Sequence, residues 1–169
     1  GVGNVGTRVV QKAQALGMIP VLNDPPLARQ TGEKRYRPLE ELLDADVITF
    51  HTPLTRTGPD ATLHLCDAEL LGKLKPGCIV VNTSRGAVVD GDAHKAQLET
   101  GRMSAVLDVW EGEPSIDMEL MSLASVATPH IAGYSFDGKV NGTMMVYRAA
   151  CEFLGIEPKD IPLDLPAPE

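Results

Sequence analysis

"GVGNVGTRVV", residues 1–10, sets Gly1, Gly3 and Gly6 at the spacing G-x-G-x-x-G directly before a helix-period segment. In a strand–turn–helix unit the first glycine makes the tight turn, the second lets the backbone reach a pyrophosphate, and the third lets helix pack on strand. Three glycines in six residues also occur in plain helix-capping loops. Asp24 separates the two readings. It ends the next apolar run, "MIPVLND" at 18–24, roughly 20 residues on, where a carboxylate accepts from an adenosine ribose 2′-OH. A carboxylate there repels a 2′-phosphate, and Pro25 and Pro26 rather than an arginine follow it, so NAD is favoured over NADP. Asp24 also fits a turn-starting aspartate before proline. On the dinucleotide reading, Gly1, Gly3, Asn4, Val5 and Gly6 hold the cofactor. The strand that feeds such a loop would lie N-terminal to Gly1, and residues 1–169 are then expected to be a piece of a longer protein.

Working outward, short apolar runs alternate with helix-period segments. The runs are "MIPVLND", "DVITFH" (46–51), "CIVVNT" (78–83), "SAVLDVW" (104–110) and "SVATPH" (125–130). Acidic residues open several of the intervening segments and Gly or Pro-Gly closes them. Runs rich in Val and Ile without polar alternation predict strands buried on both faces, hence an α/β, doubly wound parallel sheet, truncated at both ends. "GIEPKDIPLDLPAPE" (155–169) is too proline-rich for helix or central strand and reads as a linker.

Composition narrows the partners. A formal net charge of -8 disfavours nucleic acid and anionic membrane surfaces. Cys66, Cys78 and Cys151 are odd in number and scattered, suggesting neither a disulfide framework nor a zinc or other metal site, and a reducing cytoplasm fits. No apolar run approaches the roughly 20 residues of a membrane span.

Ligands of open α/β sheets bind outside the carboxyl ends of the strands. Those ends read Asp24; His51-Thr52-Pro53; Asn82-Thr83-Ser84-Arg85-Gly86; Asp108 with Glu111 and Glu113; and Thr128-Pro129-His130 leading to Gly133-Tyr134. Oxidising a 2-hydroxy acid needs a base, a cation for the carboxylate, and a fixed cofactor. His130 suits the base, with Glu113 to orient it and stabilise its protonated form. Arg85 suits the clamp, because a guanidinium fork matches carboxylate geometry. Singly, each also fits a plain role: a loop histidine, a surface charge, an exposed turn residue. His64 and His94 read as surface residues, His51 as shaping the cleft, Cys78 as core and Trp110 as packing.

"GVGNVG", "HTPLT", "VVNTSRGAVVD", "LDVWEGEP" and "TPHIAG", in that order over residues 1 to about 133, resemble the successive signatures of the NAD-dependent D-2-hydroxyacid dehydrogenases. The resemblance implies that Arg85 binds substrate, Glu113 pairs with the acid/base His130, and Asp108 faces the nicotinamide carboxamide. It places Thr52, Thr83, Ser84 and Arg85 along the cofactor. "NDPP", "PHIAGYSFDGKVNGT" and "LDLPAPE" are similar to one branch of the family, which oxidises 4-phospho-D-erythronate to the 2-oxo acid with NAD on the way to pyridoxal phosphate. That branch implies Gly133 against NAD, Tyr134 on substrate, and a homodimer built by a C-terminal domain.

Residues 1–134 would be the Rossmann domain without its first strand, 135–154 a helix returning to an absent substrate domain, and 155–169 a linker to an absent dimerisation domain. Alone, the piece is expected to have little turnover. A phosphoglycerate or glyoxylate type of dehydrogenase, or a non-catalytic NAD-sensing module, also fits.

Overall fold

The computed structural model describes residues 1–159. Its sheet has four parallel strands in sequential order: β1 (Val47–Phe50), β2 (Ile79–Asn82), β3 (Ser104–Leu107) and β4 (Val126–Ala127). Val47 pairs with Ile79, Ile79 with Ser104, and Val106 with Val126. The connections carry α3 (Ala68–Lys73), α4 (Gly91–Glu99) and α5 (Met118–Leu123), while α1 (Asn4–Ala15) and α2 (Pro25–Thr31) precede the sheet. The acidic residues that open the helical segments are N-caps. Asp67 accepts from the Leu70 N–H, Asp90 from Ala93 and Asp117 from Leu120, each stabilising its helix by about 1 kcal/mol.

Ile48, Phe50, Val80, Ala105 and Leu107 pack with Leu70, Leu71, Leu74 and Leu98 in the core. Burial alternates along the strands, however, and Val47 and Ile79 are exposed. The expectation of strands covered on both faces therefore holds on one face among the described residues. Sequential parallel neighbours joined by right-handed crossovers carry their helices on the same side, and α3–α5 are those helices.

Residues 18–24, read as a strand, form only an isolated bridge between Leu22 and Tyr36. A groove of about 670 Å³ runs beside β1, lined by Val9, Val10, Ile19, Val21 and Ile48 among others. Ile19 is 91% exposed beside it. A strand needs a neighbour about 4.8 Å away, and across this groove 18–24 has none among the described residues. "PLEELLDA" likewise tightens to a single 3-10 turn, Leu39–Leu42.

A second unit begins at Gly133. Its helix α6 (Phe136–Leu154) is capped by Ser135, whose hydroxyl accepts from the Gly138 N–H, and ends at Gly155 in the left-handed region. Of the segment read as a linker, residues 160–169 lie outside the described residues.

His94, read as a surface residue, is buried on α4, and among the described residues its Nε2 has no partner. Its turn of α4 faces the core rather than solvent. Burial lowers its pKa to about 4, so the folded state holds it neutral. The stability this contributes is complete above the unfolded-state value near 6.5 and is lost as pH falls toward 4. Urea unfolding should show this residue costing about 2 kcal/mol between pH 7 and pH 5, and His94→Leu should remove that part of the pH dependence; an unchanged difference would contradict it.

Candidate active site

The carboxyl ends of β3 and β4 are tied together through one buried carboxylate. Asp108 follows β3; its Oδ1 accepts from the Thr128 hydroxyl at 2.6 Å and the Ile131 N–H at 2.8 Å, and its Oδ2 from the Ala132 N–H at 2.9 Å. Burial disfavours the charge, but these donors and His130 outweigh it, and the pKa falls below the usual carboxylate value. Held this way, the turn 128–132 presents His130 in the left-handed region, at φ 56°, a conformation few non-glycine residues adopt.

Glu113 meets His130 there. Its Oε1 accepts from the Trp110 N–H and its Oε2 lies 2.7 Å from His130 Nδ1. Burial opposes ionisation of Glu113; the bonds from His130 and Trp110 win, and its pKa is lowered. A carboxylate can only accept, so Nδ1 carries the proton and neutral His130 keeps its lone pair on Nε2. Both side chains remain partly open to solvent, at 47% and 34%. Trp110 is packed in the core, and its indole N–H donates to the Thr128 carbonyl.

The β2 end supplies Arg85. Buried Asn82 organises this loop: Oδ1 accepts from the Ser84 N–H and hydroxyl, and Nδ2 donates to the Arg85 carbonyl. Ser84 is buried, Thr83 half-buried, and Arg85 exposed, its Nη1 donating to the Ser84 carbonyl. Next to it, Gly86 lies so close to the Trp110–Glu111 peptide that a Cβ would overlap its atoms. The loop bearing Arg85 is thus seated on the loop bearing Glu113.

At the other end of the rim, Gly1 lies against the His51 carbonyl and Gly6 against the Gly1 carbonyl, each with no room for a Cβ, whereas Gly3 faces open space. Gly3 is the N-cap of α1 and offers no side-chain cap, and Asn4 and Val5 are exposed in the first turn. Its N–H groups are therefore free for an anion. Asp24 caps α2 through the Leu27 N–H and accepts the Val2 N–H at 2.7 Å, fastening the glycine loop. The turn-starting reading of Asp24 is present in the geometry, and each oxygen keeps a lone pair for a ribose hydroxyl. Among the described residues, Thr52 Oγ1 is buried without a hydrogen-bond partner. His51 bonds Thr49, and burial lowers its pKa. Gly133 and Tyr134 open the second unit, where Tyr134 is exposed and carries the Lys139 ammonium 3.5 Å from its ring centroid.

Three residues with structural work at this site, Asn82, Gly86 and Thr128, stand at the strand ends in the sequence but were given no role there. Asn82 and Gly86 had a signal, a lone amide closing an apolar run and a glycine after Arg85. Thr128 had none beyond its place before Pro129.

A family model described as D-isomer specific 2-hydroxyacid dehydrogenase, NAD binding domain, matches residues 1–132. Erythronate-4-phosphate dehydrogenase of Escherichia coli strain UMN026 is 50% identical over 173 positions, covering 100% of this chain and 46% of that protein. The chain thus spans about half the length of the curated relatives it matches. Among solved structures, a glyoxylate reductase from Paecilomyes thermophila has a TM-score of 0.74 at 30% identity, covering 96% of this chain and 50% of its own. D-Lactate dehydrogenase from Aquifex aeolicus, complexed with NAD and lactic acid, has a TM-score of 0.70 at 28% identity, covering 92% and 52%. The chain belongs to the D-isomer specific 2-hydroxyacid dehydrogenase family, as its NAD-binding domain.

Proposed function

We propose that this chain is the cofactor-binding and catalytic part of a dehydrogenase that oxidises 4-phospho-D-erythronate to 2-oxo-3-hydroxy-4-phosphobutanoate. The observation that carries the chemistry is the Glu113–His130 pair, 2.7 Å apart, with Nε2 left free. The substrate rests on the relatives of that name, 50% identical across the whole chain.

In this mechanism the glycine loop and the first turn of α1 hold the pyrophosphate, Asp24 the ribose, and Thr52, Thr83, Ser84, Asp108 and Gly133 line the rest. Bound NAD supplies the hydride acceptor. His130 Nε2 removes the C2 hydroxyl proton as the C2 hydrogen leaves with its electron pair, and Glu113 stabilises the imidazolium. Arg85 holds the C1 carboxylate and C2 oxygen, and Tyr134 contacts the substrate. On this reading the remaining length of the relatives corresponds to a substrate domain that completes the cleft and to a separate dimerisation domain. The complete protein is then a cytoplasmic homodimer. No helix of the described residues is long and apolar enough to cross a membrane.

The test is a substrate panel on the complete gene product with NAD. 4-Phospho-D-erythronate should exceed 3-phosphoglycerate, glycolate and D-lactate in kcat/KM by at least tenfold. A preference for another acid would replace the substrate, and NAD bound without turnover of any acid would mark a sensing module instead.

A further inference from the structure

His64 and His130 are the two non-glycine residues of the described chain with positive φ, at 50° and 56°. Holding a non-glycine residue there costs on the order of 1–3 kcal/mol unless its surroundings impose it. For His130 the Asp108 anchor does so. For His64, the surroundings are the two loops of the active site.

The backbone of residues 64–66 lies along the chain that continues from Arg85. The His64 N–H donates to the Ala87 carbonyl at 2.7 Å, the Cys66 N–H to Val88, and the Asp90 N–H to Cys66. The His64 ring then leaves this ladder to reach the other loop: Nε2 stands 2.9 Å from Glu111 Oε1, while Nδ1 is 3.6 Å from Asp90 Oδ2. Glu111 returns to the first loop through its Oε2, which accepts from the Gly91 N–H at 3.4 Å. One imidazole therefore links the segment bearing Arg85 to the segment bearing Glu113, and its partner Glu111 is itself part of the tight contact that Gly86 makes on Trp110–Glu111.

We propose that His64 is a positioning residue: its bridge to Glu111 and Asp90 sets the spacing between Arg85 and the Glu113–His130 pair, and so the alignment of the substrate carboxylate with the base. This rests on the dehydrogenase reading above. Reaction rates are sensitive to such spacing, with displacements of about 1 Å costing up to about 10²-fold.

The test uses the complete protein with His64→Gly, which tolerates the left-handed backbone but removes the ring, together with Glu111→Ala and Glu111→Gln. His64→Gly should lower kcat/KM for the hydroxy acid about 10- to 100-fold, while NAD affinity stays within twofold and Tm within about 3 °C. Glu111→Ala should match it, the double variant should be no worse than either, and Glu111→Gln, which keeps an acceptor for the ring, should restore most of the rate. Hydrogen exchange at the Trp110 amide, bonded to Glu113, should quicken in His64→Gly, a readout independent of turnover. Wild-type-like kcat/KM with an unchanged Trp110 amide overturns the proposal, as does a loss of rate that merely follows loss of Tm and NAD affinity. A wild-type protein without turnover defeats the dehydrogenase reading, and the Trp110 amide then decides whether His64 sets the loop.

Discussion

Replacing His130 by alanine is expected to lower kcat about 10³-fold while leaving NAD binding within twofold. The magnitude is that of losing a positioned general base, about 10²–10⁴-fold. The separation of the two effects follows from the geometry: His130 bonds Glu113, whereas the glycine loop, Asp24 and Thr52, proposed above to hold the cofactor, lie at the other end of the rim. Glu113→Gln should cost less, about 10²-fold, since an amide can still touch Nδ1 but cannot balance the charge of an imidazolium. The lowered pKa of Glu113 means that its charge persists as pH falls through the usual carboxylate range, and is lost only when pH passes below its own depressed value. The stabilisation this carboxylate gives the fold is therefore present above the ordinary value and fades in acid. Steady-state kinetics with NAD titrations check the first two expectations. A His130→Ala enzyme within tenfold of wild type would remove the base from the account.

Gly86→Ala is expected to act on both stability and rate. A Cβ at this position would overlap backbone atoms of Trp110 and Glu111, and backbone cannot move aside as the end of a flexible side chain can. The two loops must part, breaking the seating of Arg85 beside the Glu113 segment. A destabilisation of about 4 kcal/mol or more is expected, at the extreme of single substitutions, with turnover falling at least 10²-fold in the protein that remains folded. Gly3→Ala is the contrast, since nothing stands near its Cβ direction; Tm should change little there, while NAD affinity falls. Chemical denaturation of both variants decides, and a Gly86→Ala protein as stable as wild type would show that the loops are not seated this way.

These expectations show what could be read from residues alone. Asp67, Asp90 and Asp117 announced helix starts because their side chains bond amides three residues on, which is local chemistry. The pairing of Glu113 with His130, and the seating of the Arg85 loop beside them, were legible because strand ends of a parallel sheet converge on one rim. Residues 18–24 suit a strand in composition, but a strand forms only against a neighbour, and across the groove beside β1 none stands among the described residues. His94 was misread for a related reason: a short helix of mixed polarity shows no face until the sheet it packs on is known. Asn82 acts locally, on Ser84 and Arg85, whereas Gly86 and His64 act through contacts across 20 to 50 positions of sequence, and only tertiary structure sets those distances.

The most direct test of the central claim is the fate of the C2 hydrogen. Incubating the complete protein with [2-²H]-4-phospho-D-erythronate and NAD should deliver deuterium to C4 of the nicotinamide, seen by NMR, with His130→Ala slowing the transfer about 10³-fold. Deuterium released to solvent, or label transfer undiminished in His130→Ala, would contradict it.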